Sequence, residues 1–186
     1  PASYACRCTF ALYTSAASKS FQRREGCRSR SSGRRRSTTA PIRIAASAGS
    51  CERYSWDQSE WASAYPTGRD LWRNTDYTVA DLDTVQFYDG FAFQPITWLE
   101  GLGFCEKGEA HKFIEGGSRI ARDGELPLNT GGGQLSGGRL HGFGLLHEVC
   151  LQLWGEADGR QVADARTGVC GMGGGFIAGS MLLQRD

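Results

Sequence analysis

A chain of 186 residues, 40% of them hydrophobic, has room for one domain with a tail and can bury a core. No window holds 18 consecutive apolar residues, so no membrane-spanning helix is expected. The net charge of +1 conceals an asymmetry, and the seven scattered cysteines, without C-x-x-C spacing, exclude a disulfide scaffold or a structural zinc site and fit a reducing cytoplasm.

Residues 1–40 carry nine Lys or Arg against the single acid Glu25, while the rest of the chain carries twelve bases against nineteen acids. This first stretch lacks a hydrophobic period, and residues 28–37 are low in complexity. It reads as a basic arm, disordered or irregular, and its Arg, Ser, Ala, Gly and Cys content is also that of GC-rich DNA translated in a wrong frame. The same composition fits an organellar transit peptide. A nucleic-acid arm is the third reading. Phe10, Tyr13 and Phe21 all precede the Arg cluster, so no stacking surface is suggested and no nucleic-acid partner is expected. The domain is expected over residues 41–186.

Within it, Ile42-Arg43-Ile44 reads as a short strand. Residues 57–64 are helical or irregular, with Trp56 and Trp61 as anchors. Residues 68–74 suggest one or two helical turns. Thr78-Val79-Ala80-Asp81 has a hydroxyl with a carboxylate three residues on, a helix-start signature. Residues 84–88 form a β-rich run ending at Asp89-Gly90. A helix is predicted over 91–101, with Asp89 as its cap and Gly101 and Gly103 as its stop. Residues 105–125 are loop-rich, and 126–129 are extended. A glycine run over 131–138 leads to a helix at 140–154, whose apolar face is read as Phe143, Leu146, Val149, Cys150 and Leu153. Two β-type runs, 165–170 and 176–183, close the chain around the glycines of 171–175 and predict an antiparallel pair. The elements together predict an α/β domain, a mixed sheet covered by helices.

Four segments fall at strand ends or glycine turns, where a ligand can be reached. They are Tyr88-Asp89-Gly90-Phe91, Asn129-Thr130-Gly131-Gly132, Arg139-Leu140-His141-Gly142 and Val169-Cys170-Gly171. Their order resembles the motif series of the thiolase family: N-E-A-F, then N-x-x-G-G-x-x-x-x-G-H-P, then C-x-G. Asn129, Gly132, Gly133 and Gly138 stand in register with the second motif, and Cys170 falls on the cysteine of the third. The likeness runs over residues 78–186 and more weakly over 41–77. It is strongest to sterol-carrier and lipid-transfer-type thiolase-like proteins, through residues 102–108 and 135–148.

The resemblance implies the thiolase-fold C-terminal half-domain and acyl-CoA chemistry in lipid or steroid metabolism, cytoplasmic and without metal or redox cofactor, the CoA thioester being substrate. It implies proton-transfer roles for Tyr88 and Cys170, and for His141 a place lining the site. Arg139, Asn129, Gly132, Gly133 and Phe91 are the substrate-binding candidates. Two departures matter: Tyr88 replaces the asparagine or histidine that binds the thioester oxygen, and Arg139 replaces the G-H-P histidine. The family's acylating cysteine belongs to a first half that has no counterpart here. The chain is therefore expected to be inactive alone and to dimerise through that missing half. A tyrosine in this position resembles thiolase-like retro-aldolases of steroid side chains that pair with an OB-fold protein. A non-catalytic CoA- or lipid-binding lobe is the other expectation. His147 reads as a surface or packing residue.

Overall fold

A computed structural model describes residues 40–51 and 63–186. The basic arm, Trp56, Trp61 and most of the expected 57–64 element lie outside the described residues.

The described residues form a four-stranded mixed sheet between two helical layers. Its strands are β1 (Ile42–Cys51), β2 (Thr84–Phe87), β3 (Thr167–Gly173) and β4 (Ile177–Arg185), in the spatial order β1-β4-β3-β2. β1 and β3 flank β4 antiparallel, while β2 joins β3 in parallel with Gln86 opposite Cys170. Leu128 adds one parallel bridge outside β2, made by Val85 N–H to Pro127 O and Asn129 N–H to Val85 O. The expected mixed sheet, its closing hairpin and the extended 126–129 piece are all present.

The helices are α1 (Ala64–Arg73), α2 (Gln94–Leu102), α3 (Ala110–Phe113), α4 (Gly133–Gly137) and α5 (Phe143–Trp154). One face of the sheet packs against α1 and α2 through Val85, Phe87, Val169, Leu182, Leu71, Trp98 and Leu99. Trp98 stacks on Phe87 with centroids 5.8 Å apart and donates its indole N–H to Gly173 O. The opposite face packs Cys170 and Leu183 against Leu145, Val149 and Leu153 of α5, with Tyr88 at the margin. Each fully buried Leu, Val or Phe contributes roughly 1.5–3 kcal/mol, so both layers are needed to hold so small a sheet.

Several local expectations shift, each for a physical reason. α2 begins at Gln94 rather than Phe91, because Pro95 has no N–H to offer the Phe91 carbonyl and instead occupies the first helical turn. Gly101 does not stop α2. It lies inside the helix, and a Cβ on Gly68 of α1 would fall 2.1 Å from its carbonyl oxygen, so the two backbones touch at these glycines. Gly103, left-handed at φ 88°, is the true C-cap. α5 begins at Phe143 rather than Leu140, because His141 and Gly142 take φ of 47° and 91°. Its buried face is Leu145, Glu148, Val149, Gln152 and Leu153, while Phe143 is 71% exposed. The apolar stripe read from the sequence was thus rotated, since two of the inward positions are polar. β1 runs on to Cys51 through small residues, its length set by pairing with β4. Thr78 and Asp81 do open a short 3-10 turn, with Thr78 N–H and Oγ1 both donating to Asp81 Oδ2.

Candidate functional site

The end of β2 places Tyr88. Its N–H donates to Gly171 O at 2.8 Å, which ties the Tyr88-Asp89-Gly90-Phe91 segment to the Cys170-Gly171-Met172 segment of β3. The half-buried ring folds back over Gly90, where a Cβ would fall 2.3 Å from the phenol oxygen. Only glycine at that position leaves the phenol where it stands.

Asp89 does not cap the helix that follows it. It is buried, and its Oδ1 accepts the Gln134 N–H at 2.7 Å in the first turn of α4, 45 residues away. Gly133 makes this possible, because a Cβ there would lie 2.0 Å from Asp89 Oδ2. A carboxylate at a helix start stabilises the orphan N–H groups. α4 itself was not foreseen within the glycine run. Gly132 is its left-handed N-cap at φ 81°.

Asn129 takes φ 50° and spends its amide on β2: Oδ1 accepts Phe87 N–H at 2.7 Å and Nδ2 donates to Phe87 O at 3.0 Å. It locks the strand that delivers Tyr88. Cys170 lies beneath, wholly buried, with Sγ 3.8 Å from Met181 O. Burial pushes its thiol up to about 12. Arg139 and His141 sit on the exposed loop between α4 and α5, and no ion pair or hydrogen bond among the described residues holds either. Phe91 is 60% exposed and stacks on Phe93 at 6.1 Å. The fold thus joins the Tyr88, Asn129–Gly133 and Cys170 segments, and leaves Arg139, His141 and Phe91 on the open side.

A polar network absent from the sequence reading underlies the glycine turn. Thr130 Oγ1 donates to Glu148 Oε1 at 2.9 Å and accepts from Gln86 Nε2 and Gln152 Nε2, each at 3.0 Å. Arg160 closes it, with Nη2 2.8 Å from Glu148 Oε2. Burial alone raises the Glu148 pKa, but hydrogen bonds from Arg160, Gln152 and Thr130 and the guanidinium charge hold it below the ordinary glutamate value. The signal for this network is a Glu and a Gln four residues apart on a mostly apolar helix, which apolar periodicity passes over. Above it, α5 and the glycine turn enclose a cleft of about 190 Å³. His147 stands at this cleft, exposed. Among the described residues, no three His, Cys, Asp or Glu side chains group so as to hold a metal ion.

Residues 55–184 match the family model described as thiolase C-terminal domain-like. A 17-hydroxy-3-oxo-4-pregnene-20-carboxyl-CoA lyase of Mycobacterium tuberculosis is 46% identical over 88 residues, covering 47% of this chain and 22% of that protein. An acetyl-CoA acetyltransferase of Methanothermobacter thermautotrophicus is 38% identical over 105 residues, covering 54% of this chain and 27% of that protein. A solved structure titled "Ltp2-ChsH2(DUF35) aldolase" superposes with a TM-score of 0.73 at 28% identity, over 80% of this chain and 40% of that one. The chain spans about a quarter of the length of the curated relatives it matches.

Proposed function

Because the chain belongs to the thiolase C-terminal domain-like family, we propose that it serves as the C-terminal half of an acyl-CoA enzyme that breaks or forms a carbon–carbon bond in lipid or steroid metabolism. The finer reading is a retro-aldol lyase acting on a β-hydroxyacyl-CoA. The observation that carries it is the contrast between two side chains. Cys170 is sealed in the core with its thiol pushed up to about 12, so it is neutral at ordinary pH and poorly suited to the proton shuttling that acyl transfer asks of the C-x-G cysteine. Tyr88 stands half-buried at the open end of β2, with a phenol that can exchange a proton with an alcohol.

In this reading the Tyr88 oxygen, in its phenolate form, takes the proton of the β-hydroxyl. The bond between the α and β carbons then breaks, leaving a carbonyl on one fragment and a thioester enolate on the other, and the Tyr88 phenol returns that same proton to the enolate carbon, restoring the phenolate. Arg139 and His141, on the open loop, supply donors for the enolate oxygen. Asn129, Gly132 and Gly133 hold the turn beside them, and Phe91 offers an apolar surface to the acyl chain. The CoA thioester is substrate, and no other cofactor is invoked. The chain alone is incompetent in this proposal. A first half would complete the site and make the dimer contact, and an OB-fold protein would be the partner of the lyase form.

A chimera tests this. Joined behind the N-terminal portion of the Mycobacterium tuberculosis lyase, the chain is expected to cleave a β-hydroxyacyl-CoA. Tyr88→Phe should then lower kcat by about 10²–10⁴-fold with little change in KM. Turnover of β-ketoacyl-CoA alone, indifferent to Tyr88→Phe, would return the chain to acyl transfer. Binding of acyl-CoA without turnover would make it a binding lobe.

A further inference from the structure

Gly90 is exposed, and its φ lies outside the left-handed region that favours glycine. Its backbone would therefore accept an L side chain. The three atoms nearest to a Cβ there all belong to Tyr88: the phenol oxygen at 2.3 Å and two ring carbons at 2.4 and 2.5 Å. The backbone around this contact is held. Tyr88 N–H donates to Gly171 O at 2.8 Å, Asp89 Oδ1 accepts Gln134 N–H at 2.7 Å, and Gln94 N–H donates to Phe91 O at 2.9 Å. The phenol, at the far end of a flexible side chain, is the partner free to move. The motif comparison points the same way. N-E-A-F sets alanine two residues after its asparagine, whereas here glycine follows the larger phenol.

We infer that Gly90 is a positioning residue, whose missing Cβ leaves the seat that fixes where the Tyr88 oxygen stands at the end of β2. This rests on the reading of Tyr88 as the proton-transfer group. A proton passes between heavy atoms only at hydrogen-bond distance, about 2.6–3.2 Å. With a methyl at position 90, the phenol oxygen must retreat from 2.3 Å to the 3.4 Å at which ordinary contact begins. Misplacement on that scale costs about 10²-fold in rate. Glycine is required here for space and not for chain conformation, so the rate falls while the fold stays intact.

The test has two arms. In the 186-residue chain, Gly90→Ala is expected to leave the urea midpoint unchanged and to move the Tyr88 ring signals in NMR spectra. The Gln134 amide signal, which reports the Asp89 anchor, should stay in place. A stationary Tyr88 ring, or a Gln134 amide displaced along with it, would overturn the inference. In the chimera with the lyase N-terminal portion, Gly90→Ala should lower kcat about 10²-fold with KM little changed. The same substitution in a Tyr88→Phe background should cost nothing further, because the oxygen it displaces is already gone. An equal cost in both backgrounds would make Gly90 a structural residue and overturn its positioning role. So would a kcat that Tyr88→Phe lowers and Gly90→Ala does not. A chimera indifferent to Tyr88→Phe would instead sink the lyase reading, and the ring signals of the chain would then decide alone whether Gly90 seats the phenol.

Discussion

Cys170 and Tyr88 pack on the same face of the sheet in opposite chemical circumstances, one sealed and one at the margin. A thiol pushed up by burial is a poor nucleophile, since the thiolate is the reactive form. At pH 8, alkylation followed by peptide mass analysis should label the exposed Cys51 within minutes and spare Cys170 until the chain unfolds. Rapid labelling of Cys170 in the folded chain would contradict its burial and reopen its proton-transfer role. Asp89 illustrates how residue roles depend on distant partners. Its acidic side chain before a predicted helix reads as a local cap, yet it serves a helix 45 residues on. Gly133→Ala would combine a left-handed φ of 60° with a Cβ 2.0 Å from Asp89 Oδ2. The expected loss is about 2–4 kcal/mol, measured by urea unfolding.

At the scale of elements, the glycines did more than the sequence suggested. α1 and α2 cross with Gly68 against Gly101, so a side chain at either position must separate two backbones. Gly68→Val should destabilise by about 1–3 kcal/mol or more, whereas Gly144→Ala, with open space around it, should cost little and gain helix propensity. Equal effects of the two substitutions would show that the crossing does not depend on close approach. The existence and order of the strands and helices were legible because propensity, glycine punctuation and Pro95 act locally. The inward face of α5 was not. Glu148 and Gln152 point inward because Thr130, Gln86 and Arg160 meet them there, and no periodicity of apolar residues encodes such partners.

For the whole molecule, the Glu148–Arg160 pair links α5, the glycine turn and β2, so its protonation is felt as global stability. The folded-state pKa of Glu148 is lowered, so its contribution is fully present above the ordinary glutamate value of 4.5 and is lost as pH falls through the lower folded value. Urea unfolding should therefore show stability falling below about pH 4.5. Glu148→Gln should be less stable at neutral pH and have a shallower acid limb. An unchanged acid limb would mean that other carboxylates govern it. No helix among the described residues is long and apolar enough to cross a membrane.

By itself the sequence determined the family, the α/β class, the closing hairpin and the positions of Tyr88, Asn129–Gly133 and Cys170. These rest on short motifs and local backbone preferences that survive without knowledge of contacts. Only the tertiary structure decided which side chains are open to a substrate. It sealed Cys170, turned the Asn129 amide onto the Phe87 backbone, sent Asp89 to α4, and gathered Gln86, Gln134 and Glu148 around one cleft. Burial and hydrogen bonding join residues tens of positions apart, and those energies depend on distance in space rather than on spacing along the chain.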